Sequence, residues 1–148
     1  MFSPRAFDNT KPDGVAVLEI PPKPEARMSR RFVPLKRTLV DGQVIGPLAA
    51  MQVTQIYGYS RDQCEQVLEA LYRFPLPGDA AITGVSVTFG EVEIRAELKE
   101  REEAEAEYVR AKEEGRQAAL LTRESPDVFT LQVTGIQPDQ DITIETSY

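Results

Sequence analysis

From Phe32 to Tyr148 the apolar residues recur mostly at every second position, the period of a strand with one face in a core and the other in water. RFVPLKRTLV reads as a strand that runs into Asp41-Gly42, a dipeptide that supplies positive φ for a tight hairpin. The return strand lies in QVIGPLAAMQVTQIYGY, with Met51, Val53, Tyr57 and Tyr59 on one side and Gln52 and Thr54 on the other. YRFPLP follows, then ITGVSVTFG, in which Val85, Val87 and Phe89 alternate with Ser86 and Thr88. The strictest alternation is EVEIRAEL, where Val92, Ile94, Ala96 and Leu98 oppose Glu91, Glu93, Arg95 and Glu97. It predicts a half-buried strand of an antiparallel sheet, apolar side to the core. VFTLQVT groups Phe129, Leu131 and Val133, and ITIETSY groups Ile142, Ile144 and Tyr148, with a turn at Pro138-Asp139 between them.

The period changes once. From about residue 99 to 114 the residues are almost all strong helix formers without Gly or Pro, and Gly115 stands where a helix needs a C′ residue of positive φ. Ala104, Tyr108 and Ala111 recur at i, i+4 and i+7, a thin apolar stripe on an otherwise charged helix. Glu107–Arg110 and Glu113–Arg116 are spaced for i,i+3 ion pairs. Strands that do not alternate regularly with helices predict a mainly β protein, an antiparallel β-sandwich-like domain or open barrel carrying one amphipathic, highly charged α-helix. Residues 1–30 differ: five prolines and a basic bias predict an extended, partly disordered leader, with a short strand at VAVLEI as its one candidate element. The domain proper is then residues 31–148.

Composition removes function classes. The 148 residues contain no histidine and one cysteine, Cys64, so a Ser-His-Asp triad, a Cys-His pair, imidazole ligands, a cysteine-built zinc site and an intrachain disulfide are all excluded. A net charge of −7 argues against nucleic acid as partner. That charge is uneven: residues 1–40 hold eight bases and four acids (+4), the rest nine bases and twenty acids (−11). No apolar run is long enough to span a membrane and the N-terminus lacks the apolar core of a secretory signal; this predicts a cytoplasmic chain by default and an extracellular one if a parent protein carries a signal.

The charged stretch invites a chemical reading, since seven acids and five bases fall between Lys99 and Arg116. Glu103 and Glu107, one turn apart, have the spacing for a divalent ion or an acid/base pair. Acid/base work needs carboxylates whose pKa values are driven apart by burial or a fixed neighbour, and here water and bases surround them, so a solvated helix face is expected. Asp139 and Asp141 are spaced as in a calcium loop, yet no downstream Glu completes it. Cys64, in the polar context SRDQCEQ, has no base of the usual kind to activate it and reads as an incidental thiol. No catalytic residue, cofactor site or metal site is expected.

Two segments resemble a known family. ALYRFPLPGDAAITGVSVTFG contains Tyr72, Phe74, Pro75, Leu76 and Pro77, then Gly84; it is similar to a segment of the vault protein inter-alpha-trypsin (VIT) domain. LKEREEAEAEYVRAKEEGRQAALLTRESPDVFTLQV resembles that family's helix and following strands, through Ala104, Tyr108, Ala111, Gly115, Leu120, Leu121, Pro126 and Phe129. The last strand ends in Tyr148, as the family's closing strand ends in Tyr. The resemblance runs from about residue 48 to 148. Asp127 stands where the family usually has Asn, YGYSRDQCEQVLEALY is longer and more polar than usual, and the chain stops where members usually continue into further strands and a von Willebrand type A domain. No DxSxS metal-adhesion triplet occurs.

The resemblance implies a non-catalytic scaffold for protein–protein contact, packing against an adjacent von Willebrand type A domain or a partner protein. Self-association through an unpaired edge strand is the alternative, and a carboxylate/divalent-metal enzyme a remote one. By themselves, Phe74 and Leu76 should anchor a corner in the core, because Pro75 and Pro77 delete ladder donors and force the chain out of the sheet.

Overall fold

The computed structural model describes residues 16–21, 31–76, 80–96, 101–125 and 128–148, and for 101–104 and 122–125 the backbone only. In chain order the elements are β1 (Val17–Ile20), β2 (Arg31–Phe32), β3 (Leu35–Ile45), β4 (Leu48–Tyr57), β5 (Leu68–Pro75), β6 (Gly84–Phe89), β7 (Val92–Arg95), α1 (Arg101–Glu113), β8 (Ala118–Ser125), β9 (Val128–Ile136) and β10 (Ile142–Ser147). They form two five-stranded antiparallel sheets, ordered β2-β1-β5-β9-β8 and β3-β4-β10-β6-β7. The architecture expected from the alternation, a mainly β sandwich with one helix, is the one observed.

One core lies between the sheets. Leu18, Ala70, Tyr72, Leu131 and Val133 enter it from the first sheet, and Tyr57, Val87, Phe89, Ile142 and Ile144 from the second. Each is 1% exposed or less, and complete burial of such a side chain stabilises the fold by about 1.5–3 kcal/mol relative to leaving it in water. The faces read from the alternation of β6, β9 and β10 are the buried ones: Val85, Val87 and Phe89 in β6, Leu131 and Val133 with half-buried Phe129 in β9, Ile142 and Ile144 in β10. The turn before β10 is also where Pro138-Asp139 predicts it, and Asp139 has φ 60°.

Local signals misplace other features. Asp41-Gly42 is not a turn: both residues lie inside β3, opposite Gln52 and Met51. The hairpin turns instead at Gly46-Pro47, between the paired Ile45 and Leu48, with Gly46 at φ +59°. Pro47 decides this. A turn at Asp41-Gly42 would leave it inside the return strand without a ladder donor, whereas second place in a two-residue loop suits its fixed φ, and glycine before it supplies the positive φ of a type II′ loop. Gly42 has another use: a Cβ there would come 2.4 Å from Met51 Sδ, so the thioether crosses the notch that glycine leaves.

EVEIRAEL is a lesser element than its alternation predicts. Glu91 belongs with Gly90 to the preceding turn, and the strand proper is Val92–Arg95, at a sheet edge. Val92 is exposed; only Ile94 packs on the core, since a perfect alternation specifies two faces but not what covers them. Leu98 lies outside the described residues. The loop YGYSRDQCEQV carries the chain from one sheet to the other, and its Cys64 is buried in the core cluster rather than in a polar setting. Within the segment read as a leader, Val17–Ile20 form β1, an inner strand of the first sheet with Leu18 fully buried. The candidate strand at VAVLEI is therefore a structural part of the sandwich, upstream of the boundary drawn at residue 31.

Candidate functional site

Most described residues of the family motif divide between the two faces of the first sheet, and Gly84 and Tyr148 belong to the second. Tyr72 and Phe74 point into the sandwich, with ring centroids 5.3 Å apart, and Phe74 stacks on Phe129 at 5.8 Å. Pro75 ends β5 exposed and Leu76 returns to the core at 7% exposure, the corner the two prolines lead one to expect; Pro77 and Pro126 lie outside the described residues. Gly84 opens β6 opposite Ser147, with room for a Cβ, so nothing there demands glycine. Tyr148 is half-buried and exchanges both backbone hydrogen bonds with Met51, at 2.7 and 3.0 Å.

On the outer face of that sheet sits α1. Leu121 and Ala119 pack into the core, so Leu120 between them is buried on the opposite side, where the helix meets β8. Tyr108 and Ala111 are buried there too, 7% and 8% exposed; the side chain of Ala104 lies outside the described residues. Tyr108 donates its hydroxyl to Glu69 Oε1 (3.3 Å), and Lys112 Nζ is 2.6 Å from Glu69 Oε2. Burial and the facing Glu69 carboxylate push the Tyr108 hydroxyl pKa up, so it remains a donor. Gly115, at φ +69°, stops the helix: its N–H donates to Lys112 O (3.0 Å) and the Arg116 N–H to Ala111 O (2.9 Å), the two bonds of a Schellman cap. Arg116 pairs with Glu114 at 2.6 Å rather than with Glu113, because the cap turns the chain off the helical path. Stripe and stop thus attach a helix to a sheet.

The acids singled out for chemistry are dispersed. Glu107 is exposed on α1, and the side chain of Glu103 lies outside the described residues. Asp139 accepts the Arg61 backbone N–H (3.0 Å), and Asp141 is ion-paired with Lys36. Both aspartates fasten the turn before β10.

A residue the alternation passes over joins the two sheets. Gln55 is 1% exposed, and its Oε1 accepts from Tyr57 (3.0 Å) and from Tyr72 across the interior (2.8 Å). Burial raises the pKa of both phenols; that of Tyr72 is pushed up to about 12, with the Thr146 hydroxyl opposing the rise and Tyr148 adding to it. The signal was available: Gln55 lies on the stripe of Met51, Val53 and Tyr57, and a polar residue on an apolar stripe needs a buried partner.

The feature least explained by folding is the far half of the β3–β4 hairpin. β10 pairs β4 only from Tyr57 to Gln52, with Met51 and Tyr148 closing the ladder. Beyond that point Gln43–Ile45 and Leu48–Ala50 pair, among the described residues, with each other alone, an arm of about 10 Å at about 3.3 Å per residue. Val40, Val44, Ile45 and Leu48 are 60%, 73%, 66% and 73% exposed. Directly opposed residues share a face, so Val44 and Ala49 continue beyond β10 the core-facing side that Val40, Met51 and Val53 form beside it. This surface can do no bond-making chemistry; it can bury apolar area and extend a sheet.

Comparison with known proteins agrees with the resemblance. The model of the vault protein inter-alpha-trypsin domain matches residues 35–148, starting upstream of Leu48 and after β1 and β2. The chain is 34% identical over 120 residues to the human protein mono-ADP-ribosyltransferase PARP4, covering 81% of this chain and 7% of that protein. It is 30% identical over 122 residues to the mouse von Willebrand factor A domain-containing protein 5A, covering 81% of this chain and 15% of that one. The chain thus spans a small part of the length of these relatives. No solved structure matches it. With a family match over most of the sandwich, the chain belongs to the vault protein inter-alpha-trypsin domain family.

Proposed function

We propose that this chain works as a non-catalytic contact domain within a larger protein, and that the open half of the β3–β4 hairpin is the part that docks. The observation that carries this reading is the exposure of Val44, Ile45 and Leu48 on an arm that no third strand supports among the described residues, with exposed Val40 at its root. Apolar area in water is unfavourable by about 25 cal/mol per Å²; Val40 and Val44 present it on one face of the ladder and Ile45 and Leu48 on the other, and exposed apolar area of this kind marks contact sites. The relatives support the wider setting, since each is far longer than the matched segment. One is named for a von Willebrand type A domain, which makes such a domain the first partner class to test. The ADP-ribosyl transfer in the other's name is said of a protein of which this chain spans 7%, and it is not transferred here.

The test is backbone hydrogen exchange on the 148-residue chain, alone and with the von Willebrand type A domain of the mouse relative. Protection appearing from Thr38 to Val53 supports docking through the hairpin. Exchange that stays unchanged there, or protection confined to α1, sinks this reading.

A further inference from the structure

We infer that the partner met by the open edge of β3 is a second copy of this chain, joined strand to strand about Leu39; the inference rests on reading the hairpin as a contact element. Among the described residues β3 is the outermost strand of its sheet, and all eleven of its residues are exposed. Its free backbone groups follow from the ladder. Met51 spends both its N–H and C=O on Tyr148, so Gly42 opposite makes no bond to it across β3–β4. By alternation the N–H and C=O of Thr38, Val40 and Gly42 point away from β4. An unpaired row of this kind is a template for another strand.

The side chains choose the strand and its register. Lys36, at the bulge between Leu35 and Arg37, is already paired with Asp141. Arg37 and Asp41, both exposed, make no ion pair among the described residues. They lie on one face of β3, on either side of Leu39. In an antiparallel β3–β3 pair with its two-fold axis at Leu39, Arg37 of each copy stands opposite Asp41 of the other. Leu39, 42% exposed, then meets itself. In the same register Thr38 faces Val40 of the other copy, and these carry the outward N–H and C=O groups, so each such pair exchanges two backbone bonds. Shifting the register by two residues keeps those bonds but sets Leu39 against Asp41 and Arg37 against Gln43. Charge and backbone agree on one arrangement, which is isologous and closes, and it merges the two second sheets into one of ten strands.

The other end of that sheet lacks these properties. β7 has four residues, and Arg95 is held by Glu93 of its own strand at 2.9 Å. Of this sheet's two edges the association is therefore expected at β3, ending at dimers rather than growing into filaments through β7.

Sedimentation equilibrium from micromolar to millimolar concentration tests this, on the full chain and on Arg37→Asp, Asp41→Arg and the double exchange. These positions are exposed, so the variants should keep the parent's thermal unfolding. The parent should show a monomer–dimer equilibrium. Each single reversal sets two like-charge pairs across the axis and should raise the dimer dissociation constant by roughly tenfold, and the double exchange should restore it. A chain that stays monomeric throughout, singles that dimerise like the parent, or a double exchange that fails to recover each overturns the inference. A strictly monomeric chain whose hairpin is still protected by the type A domain would remove the dimer and leave the contact-domain reading intact.

Discussion

The two halves of the β3–β4 hairpin are one ladder in two environments. Near its base Gln55 and Tyr57 are 1% exposed, sealed between sheets; near its tip Val44 and Leu48 are 73% exposed. Strand pairing is continuous between them, and the apolar content of the tip is at least that of the base. The difference lies in what covers the ladder: β10 runs beside β4 only as far as Met51. Hydrophobicity in this hairpin therefore has two uses, building the interior at one end and leaving an unfilled surface at the other.

That contrast is open to attack by substitution. Tyr72→Ala, which opens the interior above the base and leaves Gln55 short of a donor, should cost about 3–5 kcal/mol in urea unfolding. Val44→Ala at the tip should stay within about 0.5 kcal/mol, and comparable losses would mean the tip is not open. Gln55→Leu should come next, at about 1–3 kcal/mol, because it takes the acceptor from the buried Tyr72 hydroxyl and leaves that of Tyr57 with the Ala16 carbonyl at 3.3 Å, while adding apolar bulk.

Alkaline pH should act on the base and not on the tip, which carries no tyrosine; Tyr59 and Tyr108, also raised by burial, add to the effect. Burial raises the Tyr57 and Tyr72 pKa values, Tyr72 to about 12, while an unfolded tyrosine ionises near about 10. Across that window the unfolded chain has given up protons the folded chain keeps, so stability falls as pH rises and is fully present below it. Tm should be flat to about pH 9 and decline above it, with Tyr72→Phe blunting the decline. A decline equal in Tyr72→Phe would assign it to other groups. The smallest effect belongs to the double change Val44→Ser with Leu48→Ser: Tm unchanged within error, while any docking through the tip is lost.

Much of the sandwich was legible in the chain. The buried faces of β6, β9 and β10, the helix and its stop at Gly115 follow from spacing that a local window contains. The failures share a cause. Asp41-Gly42 is a good turn dipeptide by itself, but Pro47 five residues on cannot sit in a return strand. EVEIRAEL has the cleanest alternation, yet it supplies the edge strand β7, with Val92 exposed. β8 was not separated from the stretch after the helix, because AALL shows no alternation of its own. Gln55 looked like one more polar residue until Tyr72, from the other sheet, came within 2.8 Å. The candidate contact site was the least legible part, since exposure of an apolar residue is no property of its own sequence neighbourhood.

The sequence by itself determined most of the elements, most of their inward faces and the family, because periodicity and caps act over a few residues and are written locally. Only the tertiary structure decided which sheet each strand joins, which alternating strand lies at an edge and which half of the long hairpin stays open. Those depend on contacts between residues far apart in the chain, where one sheet either covers another or stops short of it.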